Sequence, residues 1–171
     1  MLSRLKISSA LLLLAILASA AIAQLPQLTL RSVEGQSFNL AASRGKVVVL
    51  SFGATWVPLT SRELPALQKL ADRYAGRNVS FYWVSINSTR PGARHYASDA
   101  ELQAFAQRNG WRLTILRDPD QTAYRAFGVE ALPTVVIIDA EGQLFGKYVG
   151  FDPQQAEAYA DVARSLDQLL K

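Results

Sequence analysis

After residue 24 the apolar positions change period repeatedly, and each change marks an element. Lys46–Phe52 (KVVVLSF) is an unbroken β-branched run of strand length, suited to a strand buried on both faces. Before it, Gln27–Arg31 alternates loosely and predicts a short strand, with turns at Glu34-Gly35 and Ser43-Arg44-Gly45-Lys46. Gly53–Leu59 breaks the pattern. Leu64, Leu67 and Leu70 then recur at helical spacing, and Thr60 and Glu63 stand as a capping box would, so a helix is predicted from Thr60 to near Gly76. Val79–Ile86 (VSFYWVSI) predicts a second central strand, and Asn87–Ser98 a polar loop. Asp99–Asn109 predicts a helix with Leu102, Phe105 and Ala106 on one face and Gly110 at its end. Leu113–Leu116 is a short strand, Asp118-Pro119-Asp120 a turn, and Gln121–Phe127 a helix. Thr134–Asp139 (TVVIID), the turn Glu141-Gly142 and Leu144–Val149 form a hairpin. Pro153 opens a last helix with Ala156, Tyr159, Ala163, Leu166 and Leu170 inward. Strands alternating with helices imply an α/β fold around a mixed sheet, in one domain spanning residues 24–171. That stretch holds no internal repeat and no linker.

The first 23 residues stand apart. Arg4 and Lys6 precede the apolar run Ala10–Ala18, and Ala21-Ile22-Ala23 fits a small-x-small cleavage site, so residues 1–23 read as a signal peptide with Gln24 as the new N-terminus. The charge-free run Ser8–Ala23 is shorter than the roughly 20 apolar residues of a membrane-spanning helix, so cleavage is preferred over a retained anchor. The expectation is an exported, periplasmic chain with no stable membrane anchor. Losing Arg4 and Lys6 lowers the net charge from +4 to +2, too mild to argue for nucleic acid. Among all 171 residues there is no cysteine. That excludes a disulfide, a thiolate metal site and thiol catalysis. One histidine, His95, without a carboxylate cluster is no basis for a metal, and no cofactor is expected.

Gly45–Phe52, Ala54–Thr60, Arg62–Pro65 and Gly128–Thr134 together, with Val136–Asp139 and Glu141-Gly142 behind them, resemble one family. The chain is similar to the TlpA/ResA-like branch of the thioredoxin superfamily, which overlaps the redoxin and peroxiredoxin-like (AhpC/TSA) group. The resemblance covers roughly residues 25 to 170, and implies a thioredoxin-like fold with a C-terminal hairpin and helix. It also implies a W-C-x-x-C loop, in which a thiolate at a helix N-terminus attacks a disulfide and a second cysteine resolves it. Here the two cysteine positions are Val57 and Thr60, so this CxxC motif is degenerate and no catalytic residue is assigned. A Thr60 nucleophile would need a base, and no sequence pattern brings His95 near it. Peroxidase chemistry fails on the same ground, because it also starts from a thiolate.

The resemblance further implies that Trp56 is the active-site tryptophan, Glu63 a glutamate near the cysteines, and Pro133 a cis-proline whose preceding residue, Leu132, pairs with an extended peptide. Such pairing needs no cysteine. Trp56, Val57, Pro58, Leu59, Thr60, Leu132 and Pro133 are therefore the candidate binding residues. With no thiol to serve, Glu63 is read as the capping partner of Thr60. Ser51 and Gly53 also depart from the family pattern, which has a buried Asn or Asp and an aromatic there. Gly53 leaves room for a small apolar pocket beside Trp56, although drift after the loss of chemistry is the preferred account. The loop Asn87–Ser98 is read as a solvated connection rather than a contact loop for an acidic or aromatic partner. Three roles follow. The preferred one is a redox-inactive module that binds an exported protein or peptide. The others are family-type oxidoreductase or peroxiredoxin-like activity with borrowed thiols, and a structural subunit of an envelope assembly.

Overall fold

The run at residues 47–53 is wholly buried because both its faces are covered, and alternation decides which residue meets which layer. The computed structural model describes residues 28–155 and 157–171. The elements are β1 Thr29–Ser32, β2 Ser37–Asn39, β3 Val47–Gly53, α1 Pro58–Arg73, β4 Val79–Ser85, α2 Asp99–Arg108, β5 Ile115–Arg117, α3 Thr122–Ala126, β6 Thr134–Ile138, β7 Leu144–Val149 and α4 Ala160–Leu169. The seven strands form one mixed sheet in the order β2-β1-β5-β4-β3-β6-β7. β3 lies parallel to β4, and β4 to β5, while the other neighbours are antiparallel.

Val47 and Val49 of β3 join one core layer with Leu64 and Leu67 of α1, Tyr74 just after it, Leu102 of α2 and Val162 and Leu166 of α4. Val48, Leu50 and Phe52 join the other, with Leu30, Leu40, Ala123, Phe127 and Val129. Ser51 and Gly53 share the parity of Val47 and Val49, so both face α1.

Most of the predicted elements appear, with shifts at their ends. β2 and a 3-10 turn at Leu40–Ser43 were not anticipated; the Asn39 side chain caps that turn by accepting from Ala41 N–H. β5 starts at Ile115, later than the Leu113 expected. The last helix starts at Ala160 instead of Pro153. Ahead of it, Asp152 Oδ1 accepts from Gln154 N–H (2.9 Å), and the rings of Phe151 and Tyr159 pack 5.6 Å apart, which holds the segment in turns. Asp118, in the expected turn, accepts from the N–H groups of Ala123 and Tyr124 (3.2 and 2.8 Å) and so caps α3. The proposed signal peptide, Gln24, Gln27 and Ala156 lie outside the described residues. Among the described residues no helix is long and apolar enough to cross a membrane.

Candidate functional site

Three loops meet at one end of the sheet. Parallel β3 and β4 both finish there, and antiparallel β6 begins there. Phe52 pairs with Thr134, so the next residues outward, Gly53 and Pro133, are neighbours across the strands. Reading across the sheet, the loop 86–98 follows β4, the loop 54–57 follows β3, and the loop 129–133 precedes β6.

The middle loop carries the degenerate motif. Val57 is extended (φ −92°, ψ 113°) and caps α1 without a side-chain bond, and Pro58 takes the first helical turn. Proline suits that place, because its missing N–H would be unsatisfied there anyway. The predicted helix start at Thr60 is therefore corrected by one half-turn. Trp56 is 37% exposed. Val57 and Leu132 are both half-buried against the same core layer, which places the two loops on one apolar margin. Pro58 is exposed and Leu59 half-buried, while Thr60 is fully buried and lies beyond the reach of a docked chain. Its hydroxyl oxygen accepts from Ala54 N–H at 3.4 Å.

Glu63 is no capping partner. It is wholly buried beneath the loop and accepts hydrogen bonds at Oε1 from Ser51 and from the Tyr159 hydroxyl (2.9 Å). Oε2 has no partner among the described residues. Burial pushes its carboxyl up to about 7, and the Ser51 and Tyr159 bonds pull back only in part. The triad ties β3, α1 and the lead-in to α4 together.

Gly53 opens no pocket beside Trp56. A Cβ there would lie 2.5 Å from Trp83 Nε1 and 3.1 Å from Thr60 Cγ2, so indole and threonine already fill the space. Gly53 is thus required by the neighbouring strand. Gly53→Ala is expected to lower stability by about 1–3 kcal/mol through overpacking. Trp83→Phe should recover part of that loss, read as a coupling energy in a double-mutant cycle of urea unfolding. Additive effects would show that the contact is not the cause.

On the β4 side the loop is exposed at Thr89–Gly92, Arg94 and Tyr96, as a solvated connection would be, and it is also anchored on the site. His95 stacks on Trp56, with ring centroids 3.9 Å apart and planes inclined by 25°. His95 has φ 63°, a left-handed backbone that a non-glycine residue holds only under constraint. Asn87 supplies one constraint. Its Oδ1 accepts from Thr55 N–H (3.1 Å), and its Nδ2 donates to Thr55 Oγ1 (2.8 Å) and to the His95 carbonyl (3.2 Å). Arg117, buried at the end of β5, supplies another. It donates to the carbonyls of Asn87, Ser88 and Ala97 and pairs with Asp99 at 2.9 Å. The loop is wired to the Trp56 loop by the partly buried bonds of the buried Asn87 side chain, and buried polar groups hold position when satisfied.

On the β6 side the Leu132–Pro133 bond is cis. The Pro133 carbonyl accepts from Gly150 N–H (2.8 Å), and Thr134 Oγ1 closes the loop on the Ala131 carbonyl (2.8 Å). Neither the N–H nor the C=O of Leu132 has a hydrogen-bond partner among the described residues. An available donor and acceptor on one residue at a strand end is what an added strand would use. No thiol stands nearby, and the one hydroxyl of the motif is buried and engaged.

A profile of the AhpC/TSA family matches residues 22–145. The thiol-disulfide oxidoreductase ResA of Halalkalibacterium halodurans is 27% identical over 136 residues, covering 79% of this chain and 72% of that protein. The thioredoxin-like protein YneN of Bacillus subtilis is 30% identical over 127 residues, covering 74% and 70%. Among solved structures, the exposed lipoprotein thioredoxin of Streptococcus pneumoniae superposes with a TM-score of 0.63 at 28% identity, covering 81% of this chain and 98% of that one.

Proposed function

This chain belongs to the AhpC/TSA family, and from that premise we propose that it is an extracytoplasmic binding module of thioredoxin-like fold, which holds an extended segment of an exported protein without thiol chemistry. The relatives that carry the oxidoreductase name are named for a reaction that needs a thiol, and this sequence has no cysteine to supply one. The observation that carries the proposal is Leu132. Among the described residues its backbone N–H and C=O have no partner; it stands beside Pro133 on the same apolar margin as Val57, which follows the exposed Trp56. A peptide can pair there as an added strand and rest a side chain against Trp56. Export rests on the signal-like residues 1–23.

Tryptophan emission tests the reading. Titrating the purified chain with cysteine-free extended peptides should change its emission, because Trp56 is the exposed indole while Trp83 and Trp111 are buried. Trp56→Ala should lose that change and weaken binding by about 1–2 kcal/mol, the scale of one aromatic anchor. Insulin reduction and peroxide consumption should stay at the uncatalysed rate. Unchanged emission with every peptide, or turnover above background, would sink the proposal.

A further inference from the structure

We propose that the rim beside Trp56 selects acidic segments, and that the loop 86–98 is the element that reads them. This rests on the binding-module reading and names the class of partner. The loop is fixed on the site by its His95–Trp56 stack and by the Asn87 and Arg117 bonds. His95 makes that stack from a left-handed backbone. Arg90 and Arg94 flank it on the same loop. Both are exposed, and neither is paired with a carboxylate among the described residues. Exposed cations without a carboxylate partner favour acidic ligands by complementarity. The strand order adds a direction. Across this end of the sheet the Arg90/Arg94 loop lies on the β4 side, and the exposed Glu130 on the β6 side, two residues before Leu132. At the β6 end Glu130 stands two residues from Gly128, whose carbonyl accepts from the Lys147 ammonium, so the rim's cations without a carboxylate partner lie at its β4 end. A bound segment pairs with Leu132, sets an apolar side chain on Trp56, and runs its carboxylates toward Arg90 and Arg94.

Fluorescein-labelled peptides sharing a central phenylalanine, with flanks of Asp/Glu, of Ser, or of Lys, test this by anisotropy on the full mature chain. The expected result is that the acidic peptide binds roughly tenfold tighter than the lysine peptide at low salt, the scale of a few exposed charge pairs. The preference should shrink as salt rises. In R90E/R94E the acidic preference should vanish or reverse, while the serine peptide keeps its affinity within about twofold. Equal binding of acidic and basic peptides to the wild type, or a preference that survives R90E/R94E, would overturn the proposal and leave the binding module standing. Failure of all the peptides to bind would remove both.

Discussion

The double variant V57C/T60C is expected to reduce insulin disulfides in the presence of dithiothreitol, where the native chain gives only the uncatalysed rate. The reason lies in how much of the surrounding geometry is intact. Position 57 is the N-cap of α1, extended and half-buried, and position 60 sits one turn on, with Thr60 N–H bonded to the Val57 carbonyl at 3.0 Å. A thiol at the N-cap feels the positive end of the helix, which favours its thiolate. An ordinary cysteine is about 3% thiolate at pH 7, while one lowered to a pKa near 7 is about half ionised, a gain of more than tenfold in nucleophile. At position 60, sulfur replaces a hydroxyl and a methyl against Gly53 and Trp83, so the change removes bulk from a filled site. The single variant V57C should show the reactive thiol without turnover, since no second thiol resolves the mixed disulfide. If oxidised V57C/T60C forms no intramolecular disulfide, the loop has lost the family geometry along with its sulfur.

Glu63 should make this protein less stable as the pH rises from acid to neutral. Its carboxyl titrates near 7 in the folded chain, against 4.5 as the ordinary value. Below about pH 4.5 the group is protonated in both states and contributes no difference. Between there and about pH 7 the unfolded chain gives up the proton and the folded chain keeps it, so unfolding gains ground with each unit. Above about pH 7 both states are ionised and the penalty is complete, at about 3 kcal/mol. The Tyr159 hydroxyl is itself pushed up by burial and the neighbouring carboxyl, and stays protonated throughout this window. Glu63→Gln keeps an acceptor for Ser51 and Tyr159 and removes the titration. The stability of E63Q relative to wild type, by urea unfolding, should therefore rise by about 3 kcal/mol between pH 4 and pH 8. The same difference at both pH values would contradict the buried-carboxyl account.

The β3 run was legible because an unbroken β-branched stretch can hardly pack except between two covered faces. Glu63 was misread because a three-residue spacing serves a capping box and a shared helix face equally well. Thr60 and Glu63 in fact continue the inward stripe of Leu64, Leu67 and Ala71, and that periodicity was the available signal. Gly53 was misread because its constraint comes from Trp83, on the neighbouring strand. The place of His95 left no local trace. It depends on Asn87 reaching Thr55 across 32 residues of sequence, and on Arg117 reaching the Asn87 carbonyl across 30. Periodicity reports which residues face inward, whereas a buried polar network between loops is set by pairings far apart in the chain. Leu132 and Pro133 were found through the family resemblance, and that the Leu132 backbone has no partner among the described residues became visible only once its neighbours were in place.

The most direct test of a thiol-free binding site is an NMR titration of the isotopically labelled chain with a cysteine-free extended peptide. The amide signals of Trp56, Val57, His95 and Leu132 should move together along one saturating curve, with Trp56→Ala abolishing the response. A spectrum that stays unchanged, or one whose changes fall away from these three loops, would contradict the account.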